Sequence, residues 1–187
     1  MSNFTKEAIK ASFMKLLNEQ PLNKISVRSI SEDCGINRNS FYYHFENIPD
    51  LIESIITDRI DFLVKKYPTI NSIDECFNVA FERLLENKKA VLHIYNSVNR
   101  DIYERYTLKI CEYVVSSYVN TVFTTSDIGE NDRKILIKFF KCQLFGMCIE
   151  WISTGMNNDA ISEFHRLMEL CHGLTGELIK RSKTKKP

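Results

Sequence analysis

A chain of 187 residues that is 44% hydrophobic and 26% charged, with a formal net charge of +1, is long enough for one large or two small domains around a sizeable core. No run of about 18 apolar residues occurs, and Met1 to Lys10 carries no basic-then-apolar leader, so export and membrane insertion are not expected and a cytoplasmic protein is. The six cysteines (Cys34, Cys76, Cys111, Cys142, Cys148 and Cys171) form no C-x-x-C pair and sit in apolar periodic segments, which predicts buried thiols in a reducing compartment.

Apolar residues recur at helical spacing along nearly the whole chain while strand signals are almost absent, so the fold is predicted to be all-α. Ile9, Phe13, Leu16 and Leu17 share one face of a first helix beginning near Thr5, which "NEQPLNK" with Pro21 ends. Ser26 is placed to cap a second helix carrying Val27, Ile30 and Cys34. Gly35 falls where that helix must stop, because glycine takes the left-handed conformation without a Cβ penalty. Asn37 can cap a third helix, and another starts close to Pro49. The chain thus divides near Asn47 to Pro49 into a small N-terminal domain, residues 1–47, and a larger helical bundle, residues 48–187. The helix beginning near Pro49 is then the only covalent route between them.

Within the bundle, Ile73, Cys76, Phe77, Ala80, Phe81, Leu84 and Leu85 draw an apolar stripe on a helix that Asn71 or Ser72 can cap. A long helix from about Asp101 to Thr124 carries Tyr106, Ile110, Tyr113, Val114 and Val122, and the loop "TTSDIGEND" follows it. Two more helices, about Asn131 to Ser153 and about Ala160 to Lys180, are split by the turn "TGMNND". The basic end "KRSKTKKP" reads as a solvated terminus.

The stretch "GINRNSFYYHF" carries the chemistry. Phe41 and Phe45, four apart, face inward onto Val27, Ile30 and Ile36, which turns Arg38, Asn39, Ser40, Tyr42, Tyr43 and His44 outward. A strand here would bury Tyr43 with both phenylalanines and has no partner strand nearby. A short helix behind a glycine turn, exposing donors for base edges and phosphates, is what a helix-turn-helix recognition helix requires. The other reading is a helix-turn-helix used for protein contact. Residues 1–50 hold six basic and six acidic side chains, so DNA affinity must come from placed contacts rather than from net charge.

The segment "ISVRSISEDCGINRNSFYYHFENIPDLI", with the helix before it, is similar to the DNA-binding domain of the TetR family of transcriptional regulators. The resemblance implies a homodimer that binds double-stranded, palindromic operator DNA, acts as a repressor and answers to an effector. It implies phosphate contacts from Ser26, Tyr42 and His44 and a groove-facing set of Arg38, Asn39, Ser40 and Tyr43. Arg28 and Asn37 complete the expected DNA-binding residues. Cys34 and Ser31 stand where the family has alanine, and Ser31 can bond back to its helix backbone. Ile48 replaces a frequent lysine, which removes one expected phosphate contact. The region around "FFKCQLFGMCIEWISTGM" loosely resembles the DhaS-type subgroup and leaves the effector open as a small molecule or a protein.

His93, Tyr95, Tyr103, Tyr106, Tyr113, Met147 and Trp151, which combine apolar bodies with polar or soft tips, are the expected effector-pocket residues. No metal-ligand spacing, phosphate loop or catalytic constellation is found, so neither a cofactor nor an enzyme activity is expected.

Dimerisation is read from the helix from Asn131 to Ser153. Leu136, Phe140, Leu144, Met147 and Trp151 make a bulky face, and Ile135, Phe139, Cys142, Gly146, Ile149 and Ser153 a slimmer one. The lysine face of Lys134, Lys138 and Lys141 turns apolar at Phe145, Cys148 and Ile152. A helix apolar nearly all round needs cover on more than one side. The last helix adds Ile161, Phe164, Met168, Cys171, Leu174 and Leu178. Together these predict a two-fold, four-helix interface containing Phe139, Cys142, Gly146, Ile149, Ser153, Phe164, Met168 and Cys171.

Overall fold

The computed structural model describes residues 2–68, 73–97, 100–123, 127–157 and 159–184, and the regular elements among them are all helical. In chain order they are α1 (Ser2–Glu19), a 3-10 turn (Leu22–Lys24), α2 (Val27–Asp33), α3 (Arg38–His44), α4 (Ile48–Lys66), α5 (Ile73–Glu86), α6 (Lys88–Tyr95), α7 (Arg100–Val122), α8 (Glu130–Ser153), α9 (Asp159–Leu170) and α10 (Leu174–Thr184). They make two compact units, Met1–Arg59 with Leu84–Tyr106, and Ile60–Arg83 with Thr107–Pro187. The chain therefore passes between units inside α4, α5 and α7, where the sequence suggests one crossing near Pro49. The extra crossings arise because α6, which has no stop or cap signal of its own in the sequence, packs on α1 and sends Ala90 into the first unit's core.

That core joins Ile9, Phe13 and Leu17 of α1, Leu22, Ile25, Ile30 of α2, Phe41 and Phe45, and Leu51, Ile52 and Ile55 of α4. The two helices in the middle of this core, α2 and α3, are seven residues each, too short to persist alone in water. The polar ends are closed locally. At the start of α4, the Asp50 N–H donates to Asn47 Oδ1 at 2.9 Å and the Glu46 N–H donates to Asp50 Oδ2 at 2.9 Å. Pro49 lies in that first turn, where its missing N–H leaves nothing unpaired. Between α1 and α6, His93 Nδ1 donates to the Leu17 carbonyl at 2.8 Å.

In the second unit, Leu63 of α4, Tyr67 just after it, Cys76 of α5 and Tyr118 of α7 form one buried cluster, in which the Tyr118 hydroxyl donates to the Tyr67 carbonyl at 2.6 Å. A second cluster packs Val115, Val119, Phe123 and Ile128 against Leu136, Phe140 and Leu144 of α8 and Leu178 of α10. Arg133 is buried at the start of α8 and is satisfied by Asn120 Oδ1 at 3.0 Å and the Phe123 carbonyl at 2.8 Å, which closes the end of α7. Phe77 stacks on Phe164 with centroids 4.0 Å apart, and Phe81 meets Trp151 edge-on at 4.9 Å. Gly155 and Met156 both have positive φ and form the turn after α8, where Trp151 Nε1 donates to the Asn157 carbonyl at 2.7 Å.

Several expectations are corrected. The last predicted helix is two, α9 and α10, because Gly173 takes φ +82° between them. Cys142 is exposed, since it lies on the outer face of α8, whereas burial pushes the Cys34 and Cys76 thiols up as expected of inert core groups. Of "TTSDIGEND", Thr124 to Ser126 lie outside the described residues and Glu130 onward already belongs to α8. Asn71 and Ser72, the expected caps of α5, also lie outside them. Ser31 does not bond back to its helix: it is 3% exposed and its hydroxyl has no hydrogen-bond partner among the described residues.

A buried hydroxyl left unpaired costs more than its volume returns. Ser31→Ala is expected to raise the stability of the first unit by about 1 kcal/mol, helped by alanine's better helix propensity. Urea denaturation followed by helical signal checks this; an unchanged or lower midpoint contradicts it.

Candidate nucleic-acid interface

The interface candidate is built from two capped helices seven residues long. Ser26 has extended backbone; the Ser29 N–H donates to its Oγ at 3.1 Å and the Ser26 N–H donates to Ser29 Oγ at 2.9 Å, a reciprocal box that starts α2. Gly35, at φ +70°, ends it, and the Ile36 N–H returns to the Ser31 carbonyl at 2.9 Å. That bond turns the chain by the local means the glycine permits. Asn37 then accepts the Ser40 N–H on its Oδ1 at 2.8 Å and starts α3.

On α3, Phe41 is fully buried and Phe45 nearly so, with ring centroids 5.8 Å apart. Their burial sends the other residues outward. Tyr42 is 56% and Tyr43 78% exposed, Arg38 and Asn39 are exposed, and Ser40 and His44 are half-buried. Tyr42 leans edge-on against Phe41 at 5.6 Å and Tyr43 meets His44 edge-on at 5.0 Å, so the exposed rings are braced rather than loose. Nine residues were expected at this interface, and the structure divides them. Ser26, Asn37 and Ser40 already spend their side chains on caps, with Ser40 Oγ donating to Asn37 Oδ1 at 3.0 Å, and Arg28 pairs with Glu32 at 2.6 Å. Arg38, Asn39, Tyr42, Tyr43 and His44 form a face whose polar tips make no side-chain hydrogen bond among the described residues. Ser29, the reciprocal partner of Ser26, and Asp50, the partner of Asn47, escaped the sequence reading; the spacing of each three residues from its cap is the signal that could have found them.

Charge around this face is balanced locally. Lys15 pairs with Asp33 at 2.6 Å, and that bond, followed by Ser12, holds the Asp33 carboxyl below the usual range. Lys10 is buried against Asp58.

The seven expected pocket residues do not gather within one unit. His93, Tyr95, Tyr103 and Tyr106 belong to the first unit; Tyr113, Met147 and Trp151 belong to the second. Tyr95 and Tyr103 are buried edge-on at 6.3 Å, with the Arg100 guanidinium 4.3 Å from the Tyr95 ring. Burial, and then Glu53, pushes the Tyr106 hydroxyl up. Tyr113 is 42% exposed and its hydroxyl is pushed up first by its hydrogen bond with Asp61. Periodicity identified these rings as interior or half-interior, but not which interior each would join.

The residues expected at a dimer face divide by exposure. Ile135 and Phe139 are 56% and 55% exposed, Cys142, Gly146 and Ser153 are exposed, and Ile149 is half-buried, while Leu136, Phe140 and Leu144 point into their own chain. A Cβ built on Gly146 meets nothing within 4 Å. Phe164 corrects the prediction: its ring is 6% exposed and stacked on Phe77, so it is spent within the chain. Met168 and Cys171 are half-buried. The apolar residues that α9 exposes are Leu167 and Leu170, each one step around the helix from Met168 and Cys171 of the stripe read in the sequence, while Leu174 of that stripe is exposed at the start of α10.

Among the described residues no helix is long and apolar enough to cross a membrane, and no cluster of His, Cys, Asp and Glu is arranged to hold a metal ion. Residues 11–55 match the family description "Bacterial regulatory proteins, tetR family", and residues 71–173 match "Transcriptional regulator C-terminal region" of the same family. An HTH-type transcriptional regulator of Staphylococcus aureus, SAR2658, is 26% identical over 132 residues, 67% of each chain. The solved structure of the dihydroxyacetone kinase operon activator DhaS shares the fold, with a TM-score of 0.69 at 18% identity over 98% of both chains.

Because Asn37 starts α3, Asn37→Ala is expected to cost about 1 kcal/mol of stability and Asn37→Ser much less. Equal midpoints for both variants in urea would show that the cap does not hold the helix.

Proposed function

The chain belongs to the TetR family of transcriptional regulators, and on that basis we propose that it is a cytoplasmic repressor that binds a palindromic operator as a homodimer and is released by an effector, small molecule or protein. The observation that carries the DNA-binding reading is the outward face of α3, held by the burial of Phe41 and Phe45 between two capped turns. Residues 1–47 supply the reading head, with Arg38, Asn39 and Tyr43 toward base edges and Tyr42 and His44 toward phosphates. Ser26, Asn37 and Ser40 act by placing that helix, and Arg28 contributes once its exposed pair with Glu32, a weak one, opens. Residues 48–187 supply dimerisation and effector response.

The dimer is proposed to form on the exposed row Ile135, Phe139, Cys142 and Gly146 of α8, together with the exposed Leu167 and Leu170 of α9. Two identical copies of such a face can cover each other about a two-fold axis, and the open space over Gly146 lets a partner helix come close. Two heads then meet successive major grooves about 34 Å apart, which is what a palindrome presents.

With duplexes selected by the protein from a random pool, Tyr42→Phe is expected to weaken binding to every sequence alike, by about 1 kcal/mol per bound head for one lost hydrogen bond. Arg38→Ala is expected to flatten the preference at one operator position. Unchanged affinity and preference in both would remove α3 from the groove. In sedimentation, Gly146→Arg, which has room in the single chain, is expected to split the dimer while helix content stays constant. A variant that still sediments as a dimer would place the interface elsewhere.

A further inference from the structure

We infer that Lys6 is an additional contact to the DNA backbone, standing off the C-terminal end of α3; this rests on the DNA-binding reading above. Of the six cations in residues 1–50, three are committed to carboxylates: Lys10 to Asp58 and Glu7, Lys15 to Asp33, and Arg28 to Glu32. Lys6, Lys24 and Arg38 have no carboxylate partner among the described residues. Lys24 and Arg38 are exposed, whereas Lys6 is half-buried and held, with its Nζ 5.8 Å from the centroid of the Phe45 ring.

Phe45 is the residue that closes α3. Tyr43 and His44 meet at 5.0 Å and His44 and Phe45 at 6.4 Å, so a row of rings runs from the exposed Tyr43 to the Lys6 ammonium. A ring face attracts an ammonium but supplies no counter-charge. Lys6 also follows directly on the first turn of α1, which contains no acidic residue, and there the helix dipole disfavours a cation. Local structure thus places this charge without neutralising it. A duplex that receives α3 in its major groove runs phosphates past the helix end. Lys6 meets them there, while Arg38 opens the same helix at its other end. The lysine carries no base preference; it strengthens binding to every sequence and ties α1 to the duplex.

The test uses the full-length protein and a fluorescent random-sequence duplex, with affinity followed by anisotropy between about 50 and 200 mM salt. Lys6→Met keeps an apolar stem over Phe45 and removes the charge. It is expected to lower affinity for all duplexes several-fold and to make the log–log salt dependence shallower by about 0.9 for each bound head, one phosphate contact apiece. Lys6→Arg is expected to keep the wild-type slope. Lys134→Gln, the same loss of charge on α8 of the second unit, is expected to change neither. A wild-type slope in Lys6→Met overturns the inference, and so does an equal change in Lys134→Gln, which would report bulk charge alone. Wild-type protein without salt-dependent binding to any duplex would remove the DNA-binding reading itself, and the Lys6 contact with it.

Discussion

The burial of Phe41 and Phe45 is the constraint on which the first unit depends. A helix of seven residues is too short to hold its own rotation or even its own hydrogen bonds in water. Two phenyl groups, each worth about 1.5–3 kcal/mol when taken from water, set which side of α3 faces the core. The caps at Ser26 and Asn37 contribute about 1 kcal/mol apiece and decide where the helices begin, not which way they face. Rotating α3 by one residue would expose a phenyl group and bury Tyr42 or a neighbouring polar side chain. The outward order of Arg38, Asn39, Tyr42 and Tyr43 is therefore a consequence of apolar packing behind it.

The same core reaches beyond the helix-turn-helix. Leu51, Ile52 and Ile55 come from α4, and Ala90 comes from α6, 35 residues of chain beyond the nearest of these. His93 adds a polar tie to the last turn of α1. The first unit is thus completed by a segment from the part of the chain expected to answer an effector. Three helices, α4, α5 and α7, contribute residues to both units, where the sequence suggests a single linker helix.

Charge enters as compensation around apolar packing. Half of the first fifty residues' cations are bound to carboxylates that lie close in the chain or across the core, and net charge there is zero. Such a unit has little long-range pull on nucleic acid. In the second unit the buried Arg133 serves the opposite purpose: it spends its donors on the end of α7 and keeps a polar helix terminus inside the fold.

What the sequence alone determined is what short-range physics controls. The all-helical class, the stop at Gly35, the caps at Ser26 and Asn37, the inward pair Phe41 and Phe45, and the inner and outer faces of α8 all follow from neighbours within about four residues, which helical geometry brings together whatever the rest of the chain does. The break at Gly173 was also legible in principle, since glycine after an apolar run is a stop signal. Only the tertiary structure decided which interior each stripe would enter: Ala90 and His93 joining the head, Phe164 stacking on Phe77 inside its own unit, Leu167 and Leu170 left on the surface, and Ser31 buried with no hydroxyl partner among the described residues. Periodicity states that a face is apolar, but the identity of the surface that covers it is set by contacts between residues far apart in the chain, and these leave no mark at helical spacing.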